Sequence, residues 1–269
     1  MNRIWFILVA SLLLLSCNKQ TPEKEVLPRT QKERVRWFEE ARLGIMIHWS
    51  LCTPAAGRFY GEKVRNSEYA EWIRCHNKVQ KADWDKMAKR MPISEKEIED
   101  WVIATKEGGF KYLTFVTKHH DGVAFWNSKV SDYTYGNLSG THFDVLKCLK
   151  EKCEKHGIVL CAYYSQWLDW GDMNGRNNDW DYADEQKTHF DRIAAGRGEI
   201  DAPYRQLPTE EAYDKYWREK AMPQVAELIK EYGVKLFWFD CWRADPVAEG
   251  QMTEKQMRDM LAMIRQLDP

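Results

Sequence analysis

Apolar residues at helical spacing are repeatedly followed in this chain by a glycine and then by a short apolar run. The first clear case begins at Ser94, which forms with Glu97 the sequence pattern of a capping box. The apolar positions that follow share one helix face, and they are Ile98, Trp101, Val102 and Thr105. Gly108 and Gly109 end this predicted helix, and residues 110–116 then predict a strand covered on both faces.

The same order of helix, glycine and strand occurs twice more. Thr141 is predicted to cap a helix that precedes a strand over residues 158–165. A longer helical stretch begins at Thr209 and precedes a strand over residues 234–240, and Pro223 should kink or split it. The tryptophans inside these helices, which are assigned to the core, are Trp101 and Trp217.

An opening strand over residues 43–50 brings the count to four strands separated by helix-bearing connections. Parallel strands need such crossovers, so the chain is predicted to be an α/β protein. A (β/α)8 TIM-like barrel and a doubly wound sheet both fit this order. No GxGxxG or GxxxxGK[ST] motif follows a strand to support a nucleotide-binding sheet.

Polar residues gather where the predicted strands end. They are His48, His119, His120, Asp121, Tyr163, Tyr164, Ser165 and Asp240. Active sites of barrel enzymes are built at the carboxyl ends of the strands, so this placement favours the barrel and predicts one polar floor.

Aromatic residues near these strand ends are predicted to wall the same site. They are Trp49, Phe125, Trp126, Trp167, Trp170, Trp238 and Trp242. Flat apolar faces beside hydroxyl-binding groups suit a sugar ring. The connection from Ser165 to Pro208 is long and rich in tryptophan, and we interpret it as a loop on the substrate side.

The same residues also allow less specific interpretations. The sequence KHHDG, residues 118–122, could hold a metal, but the chain has no HxH or HExxH spacing, and we predict no metal site. Two structurally bonded histidines are the simpler alternative. Asp240 could cap a helix or pair with Arg243, whereas a carboxylate fixed at a strand end between tryptophans suits a glycosidase nucleophile. From spacing alone, Glu71 is a surface residue.

Composition limits the partners. The chain has 269 residues and is 44% hydrophobic, which suits one large domain. Forty Lys and Arg residues stand against 41 Asp and Glu residues, giving a net charge of -1. With no basic surplus to neutralise phosphates, nucleic acid is an unsuitable partner.

The first 30 residues predict export. Residues 1–17 have the pattern of a signal peptide, and LLSC resembles a lipobox in which Cys17 becomes lipidated; an ordinary secretory signal is the alternative. Residues 18–30 are predicted to be a tether, and residues 31–269 the catalytic domain. These features predict a bacterial periplasmic, outer-membrane or cell-surface lipoprotein whose only contact with a membrane is the lipid.

The other six cysteines are Cys52, Cys75, Cys148, Cys153, Cys161 and Cys241. An even number in an exported protein permits disulfides. Several of these residues lie in elements that are predicted to be buried, so we favour free core thiols.

Five segments in order resemble the α-L-fucosidases of glycoside hydrolase family 29. They are LGIMIHWS, YAEWI, GGFKYLTFVTKHHDGVAFWNSK, HGIVLCAYYSQWLDW and YGVKLFWFD. The resemblance implies a retaining mechanism without a cofactor, with Asp240 as nucleophile. It implies a fucose subsite lined by His48, Glu71, His119, His120 and Trp238. A tyrosine of the Tyr163/Tyr164 pair should join them, and Tyr164 is selected. Glu68 could replace Glu71 after a small shift.

The sequence departs from this family after Asp240. A helix capped by Thr253 with Gln256 is predicted, and the chain then ends at Pro269. The family places its acid/base carboxylate after this point, so we expect only about four βα units, the N-terminal part of a barrel. The leading hypothesis is a fucosidase that cleaves terminal fucosyl residues from glycans. The alternatives are a fucose-binding remnant without catalysis and a metal hydrolase.

Overall fold

The computed structural model describes residues 30–65, 69–175, 210–240 and 252–268. Four strands form one parallel sheet in which their order follows the chain: β1 (Gly44–Ile47), β4 (Tyr112–Lys118), β5 (Val159–Tyr164) and β6 (Phe237–Phe239). Two short strands, β2 (Arg58–Phe59) and β3 (Glu62–Lys63), form an antiparallel pair. The four predicted strands and the α/β class are therefore confirmed. No closed barrel is seen within the described ranges.

The described helices lie before, between and after these strands. They are α1 (Gln31–Ala41), α2 (Ile73–His76), α3 (Lys81–Trp84), α4 (Glu95–Glu107), α5 (Tyr135–Ser139), α6 (Val145–His156), α7 (Glu210–Tyr216), α8 (Met222–Lys230) and α9 (Glu254–Leu267). Helix α4 packs against α6, and α8 packs against α9.

Local capping chemistry fixes several helix starts. Both predicted capping boxes form, Ser94 with Glu97 at α4 and Thr253 with Gln256 at α9. At α6 the predicted cap was wrong, because the side chain of Asp144, not that of Thr141, accepts the backbone N–H of Lys147 at 2.8 Å. An aspartate one residue before the helix satisfies a free backbone donor directly.

The long helix before β6 is split, as Pro223 predicted. Residues Trp217–Ala221 form a π-helical turn between α7 and α8. Pro223 lies in the first turn of α8, directly after this π turn.

The register of the sheet decides which side chains share a face. Tyr163 pairs with Trp238, and Tyr164 pairs with Phe239. Because side chains alternate along a strand, Tyr163, Trp238 and Asp240 lie on one face. Tyr164 and Phe239 lie on the other face, beneath the helices.

The helix-covered face forms the main core. Fully buried members include Leu113, Phe115, Ala162 and Tyr164, and Trp217 and Trp101 pack with them as predicted. Several predicted site walls also lie in this core: Trp49, Phe125 and Trp126. That prediction was wrong, because the Trp49 ring packs on Phe125 at 5.1 Å between centroids and Trp126 is buried.

Cysteines of the described ranges that are free thiols include Cys52, Cys148, Cys153 and Cys161. The preference for free thiols is confirmed for these four, and Cys241 lies outside the described residues. Residues 1–29, which carry the predicted signal and most of the tether, also lie outside them, as do residues 176–209 of the predicted substrate-side loop. Among the helices that are described, none has the length and apolar character needed to cross a membrane.

Candidate active site

Three histidines, a tyrosine and a carboxylate meet beyond the carboxyl ends of the parallel strands. The rings of His48 and His119 are 4.9 Å apart between centroids. Tyr163 lies almost parallel to His119, at 5.4 Å and an interplanar angle of 3°. His119 and His120 are 4.3 Å apart. The structure therefore brings together predicted site residues from strands that are distant in sequence.

Asp240 is the acidic member of this cluster. Its Oδ2 accepts a hydrogen bond from the Tyr163 hydroxyl at 2.7 Å. The same oxygen lies 3.5 Å from Nε2 of His120. The carboxylate directly follows β6 and is half-buried, so it is held by a rigid element and is open on one side.

The choice of Tyr164 was wrong. Its ring lies on the opposite face of β5, where it is fully buried. The Tyr164 hydroxyl donates to Oε1 of Gln224 on α8 at 2.8 Å. Consecutive residues of a strand point to opposite faces, so only one tyrosine of the pair can reach Asp240, and it is Tyr163.

Glu71 and Trp72 come to the site from a short 3-10 helix, Ala70–Trp72. Glu71 is half-buried, and its charge opposes the effect of burial on His48. The ring of Trp72 contacts His120 with 5.1 Å between centroids. Sequence reasoning missed Trp72, although it directly follows the implied Glu71. Glu68 lies outside the described residues.

Burial controls the charge of the histidines. It holds the pKa of His119 well below its ordinary value, and the neighbouring His120 and His48 add to this effect. It lowers the pKa of His120 to about 3, against the opposing effect of Asp240. Burial also lowers the pKa of His48, and Glu71 and Asp240 work against it. At pH 7 the two buried rings are neutral and serve as hydrogen-bonding groups.

Aromatic surfaces flank the cluster on two sides. Trp170 is fully buried, with its ring 5.5 Å from that of His120. Trp238 is 55% exposed on the same sheet face as Tyr163, as a surface for stacking would require. Trp242 lies outside the described residues.

The other two ionisable residues of KHHDG turn away from the cluster. Lys118 Nζ lies 3.0 Å from Asp169 Oδ2 and is fully buried. Asp121 accepts hydrogen bonds from the Trp84 indole and the Val123 backbone, both at 3.1 Å. The segment therefore supplies two histidines to the site and two groups to the supporting structure.

Among the described residues, only part of this cluster could bind a metal ion. His119, His120 and Asp240 each offer one ligand atom, and these atoms lie within 4.8 Å of one another. Two imidazoles and a carboxylate are suitable donors for a divalent transition metal. That no metal is needed stays a prediction.

A half-open carboxylate that is held at a strand end beside an exposed tryptophan suits the nucleophile of a glycoside hydrolase. Comparison with known proteins identifies the family within this class of enzymes. The α-L-fucosidase family model matches residues 12–269, and the chain belongs to that family.

Solved structures and curated proteins agree with this assignment. The α-L-fucosidase AlfC from Lactobacillus casei, in complex with its α-L-fucose product, is 30% identical at a TM-score of 0.68, over 88% of this chain and 67% of that chain. An α-L-fucosidase from Bacteroides thetaiotaomicron is 27% identical at a TM-score of 0.67, over 90% and 47%. Human plasma α-L-fucosidase is 22% identical over 209 residues, covering 76% of this chain. The chain spans 38% of the length of that curated relative.

Proposed function

We propose that this chain carries the fucose site and the nucleophile of a retaining α-L-fucosidase that removes terminal α-L-fucosyl residues from glycans. The observation that supports the proposal is the position of Asp240. Its carboxylate accepts a hydrogen bond from the Tyr163 hydroxyl at 2.7 Å and lies beside His120. AlfC variants have been solved with Fuca(1,6)GlcNAc and with 4-nitrophenyl-α-L-fucopyranoside. A fucosylated glycan is accordingly the proposed substrate.

In this mechanism Asp240 attacks the anomeric carbon as the glycosidic C–O bond breaks, forming a covalent fucosyl-enzyme ester. A second carboxyl group gives the leaving oxygen its proton and then activates the water that cleaves the ester. Tyr163 donates a hydrogen bond to Oδ2 of the Asp240 carboxylate.

The remaining cluster residues bind the sugar. His48, His119 and His120 face ring hydroxyls as neutral donors or acceptors, and Glu71 adds a charged acceptor. Trp238 offers an exposed flat surface to the apolar side of a 6-deoxy sugar. The same geometry supports a fucose-binding protein if the acid/base group is absent.

The complete domain is proposed to be a (β/α)8 TIM-like barrel. Strand order follows chain order across the four-stranded sheet, and the polar cluster lies at the carboxyl ends. A doubly wound sheet reverses strand order at a switch point, and the four described strands have no such reversal. Export with a lipid on Cys17 is proposed on the N-terminal sequence alone.

Hydrolysis of an aryl α-L-fucoside by the 269-residue chain tests the function. An aryl group departs with little proton assistance, so the assay reports the nucleophile even without a strong acid. We expect release of the phenol and, by NMR, α-L-fucose as the first product. An aryl β-L-fucoside is the matched control and should be stable. Saturable fucose binding without hydrolysis would instead support the binding protein, and activity lost to a chelator would support a metal hydrolase.

Tyr163→Phe and Tyr164→Phe form a matched pair, since each removes one hydroxyl from adjacent residues. Tyr163→Phe should lower kcat/KM for the aryl fucoside about tenfold to a hundredfold, because a hydrogen bond to a charged group contributes about 1.5–3 kcal/mol. Tyr164→Phe should leave kcat/KM unchanged and lower the free energy of unfolding by about 1 kcal/mol, through loss of its bond to Gln224. The reverse order of effects in kinetics and urea unfolding would place Tyr164 at the site.

A further inference from the structure

Ser165 is a buried residue that the proposed mechanism leaves without a role. It directly follows β5, and its backbone N–H donates to the carbonyl of Lys118 at 2.9 Å. Its hydroxyl makes two contacts, one with a backbone carbonyl and one with a ring nitrogen. Oγ donates to the carbonyl oxygen of Leu168 at 2.9 Å and lies 2.7 Å from Nδ1 of His120.

These two contacts decide where His120 carries its proton. A serine hydroxyl has one hydrogen, and a carbonyl oxygen can only accept. If the hydrogen points to Leu168, the Ser165 oxygen can only accept from His120. Nδ1 of a neutral His120 then carries the ring hydrogen, and Nε2 keeps a lone pair.

The same loop fixes the direction of the imidazole. The backbone N–H of Trp170 donates to the carbonyl of His120 at 2.7 Å. The rings of Trp72 and Trp170 lie 5.1 Å and 5.5 Å from the His120 ring and pack against each other. The segment that follows β5 therefore supplies Ser165 and Trp170 to the His120 ring, and Trp72 contacts this ring from the 3-10 helix Ala70–Trp72.

We propose that Ser165 is a positioning residue that holds His120 as the Nδ1–H tautomer, so that Nε2 accepts a hydrogen bond from a sugar hydroxyl. The identity of the ligand in this inference rests on the proposed function, whereas the tautomer of His120 does not depend on it. It assigns one direction to one contact in the site: the sugar donates and His120 accepts.

The geometry beside Asp240 explains why this direction matters. Nε2 of His120 is 3.5 Å from Asp240 Oδ2. In the other tautomer, Nε2–H would point at Asp240 Oδ2, which already accepts from Tyr163, and Nε2 could not accept from a ligand hydroxyl. In the proposed tautomer two acceptors face each other, and a ligand hydroxyl at this position supplies the hydrogen that Nε2 can accept. Tyr163 remains a donor to Asp240 Oδ2 in either case.

Nitrogen-15 NMR of histidine-labelled full-length chain tests the tautomer without any activity. Two-bond proton correlations distinguish Nδ1–H from Nε2–H, and His120→Asn identifies the signals among the seven histidines. We expect Nδ1–H in the wild type, a shift towards the other tautomer in Ser165→Ala, and recovery in Ser165→Thr, which keeps the hydroxyl. A wild-type His120 with Nε2–H would overturn the proposal, and this outcome needs no Ser165 variant to fold.

Kinetics supply the second readout. Ser165→Ala should lower kcat/KM for the aryl fucoside about tenfold, as expected for one lost hydrogen bond of about 1–1.5 kcal/mol. Ser165→Thr should restore most of this loss. Ser131→Ala, a serine outside the cluster whose Oγ accepts from the Tyr133 backbone, is the matched control and should leave kcat/KM unchanged. Equal losses in Ser165→Ala and Ser165→Thr would contradict a role for the hydroxyl.

A substrate analogue tests whether His120 or the sugar hydroxyl donates the hydrogen bond between them. Replacing a sugar hydroxyl by fluorine removes its hydrogen but leaves a weak acceptor. The fluorinated fucose whose hydroxyl meets His120 should bind at least tenfold more weakly to the wild type and lose much less in Ser165→Ala. If every monofluoro analogue loses the same factor in both proteins, His120 is not the acceptor. If hydrolysis fails while NMR shows Nδ1–H, the proposed function falls and the tautomer assignment stands.

Discussion

Asp240→Asn is expected to lower aryl α-L-fucoside hydrolysis several hundredfold or more, the scale of losing a covalent nucleophile. The amide has nearly the same shape as the carboxylate and can still accept the Tyr163 hydroxyl. It lacks the negative charge that attacks the anomeric carbon in the proposed mechanism. Fucose binding, which we propose depends mainly on the histidines and Trp238, should change much less than kcat.

Chemical rescue separates loss of the nucleophile from a general disturbance. Asp240→Gly removes the side chain from a half-open position, which leaves room for azide beside the anomeric carbon. Azide should restore release of the phenol and give fucosyl azide of inverted configuration, because it attacks from the face that Asp240 occupied. The wild type should show no azide dependence.

Asp268→Asn is the matched control for this substitution. Asp268 is a half-buried aspartate paired with Lys235 at 3.7 Å, and Lys235 precedes β6, whereas Asp240 follows it. Its substitution should leave kcat unchanged. Activity of Asp240→Asn within about tenfold of the wild type would exclude Asp240 as the nucleophile, because general acid-base or binding roles alone could account for a loss of that size.

Short-range features of this fold were predictable from sequence. The capping boxes at Ser94 and Thr253 and the break at Pro223 depend on chemistry within a few residues. The strands were found because buried parallel strands are continuous apolar runs. His48, His119, His120 and Asp240 could be placed together because parallel strands end at one edge.

Errors arose where the face of an element decides the role of a residue. Tyr163 and Tyr164 have the same chemistry, and only a one-residue difference in strand register separates the site from the core. Trp49 and Phe125 were assigned to the site because they flank its polar residues, yet their rings pack on each other in the core. Such assignments depend on long-range packing that composition does not contain.

The pairing of Lys118 with Asp169 also depends on long-range packing, because it joins residues 51 positions apart. Asp169 Oδ2 lies 3.0 Å from both Lys118 Nζ and Lys220 Nζ, and Asp172 lies 3.2 Å from Lys220. Lys118 also donates to the Tyr216 hydroxyl at 2.9 Å. This buried network joins β4, the loop that carries Trp170, and the π turn.

Asp169→Asn is therefore expected to destabilise the fold by about 3–5 kcal/mol, since removing one partner of a buried ion pair leaves an uncompensated buried charge. Urea unfolding followed by tryptophan fluorescence measures the loss. Asp100→Asn is the matched control, because Asp100 forms an exposed pair with Lys96 on α4 and its substitution should not move the midpoint. Equal midpoints for Asp169→Asn and the wild type would show that the network contributes nothing to stability.

The pH dependence of unfolding should identify the charge responsible. Burial alone would raise the pKa of Asp169, but Lys118 and Lys220 outweigh it and lower this pKa from 3.8 to about 2. A carboxylate with a depressed folded pKa contributes stability above pH 3.8, and this contribution is lost as the pH falls towards 2. Asp169→Asn should lack this part of the acid dependence and approach the wild type at low pH.

Lys118 adds a second contribution that rises with pH, in the alkaline range. Burial lowers its pKa to about 8 from 10.5, so between these values the unfolded chain binds the proton that the folded chain has released. The free energy of unfolding should therefore gain a rising contribution from Lys118 across that window. Without the Asp169 charge the folded pKa of Lys118 should fall further, and the rise should begin at a lower pH in Asp169→Asn. A rise that begins at the same pH in both proteins would mean that Asp169 does not hold the charge on Lys118.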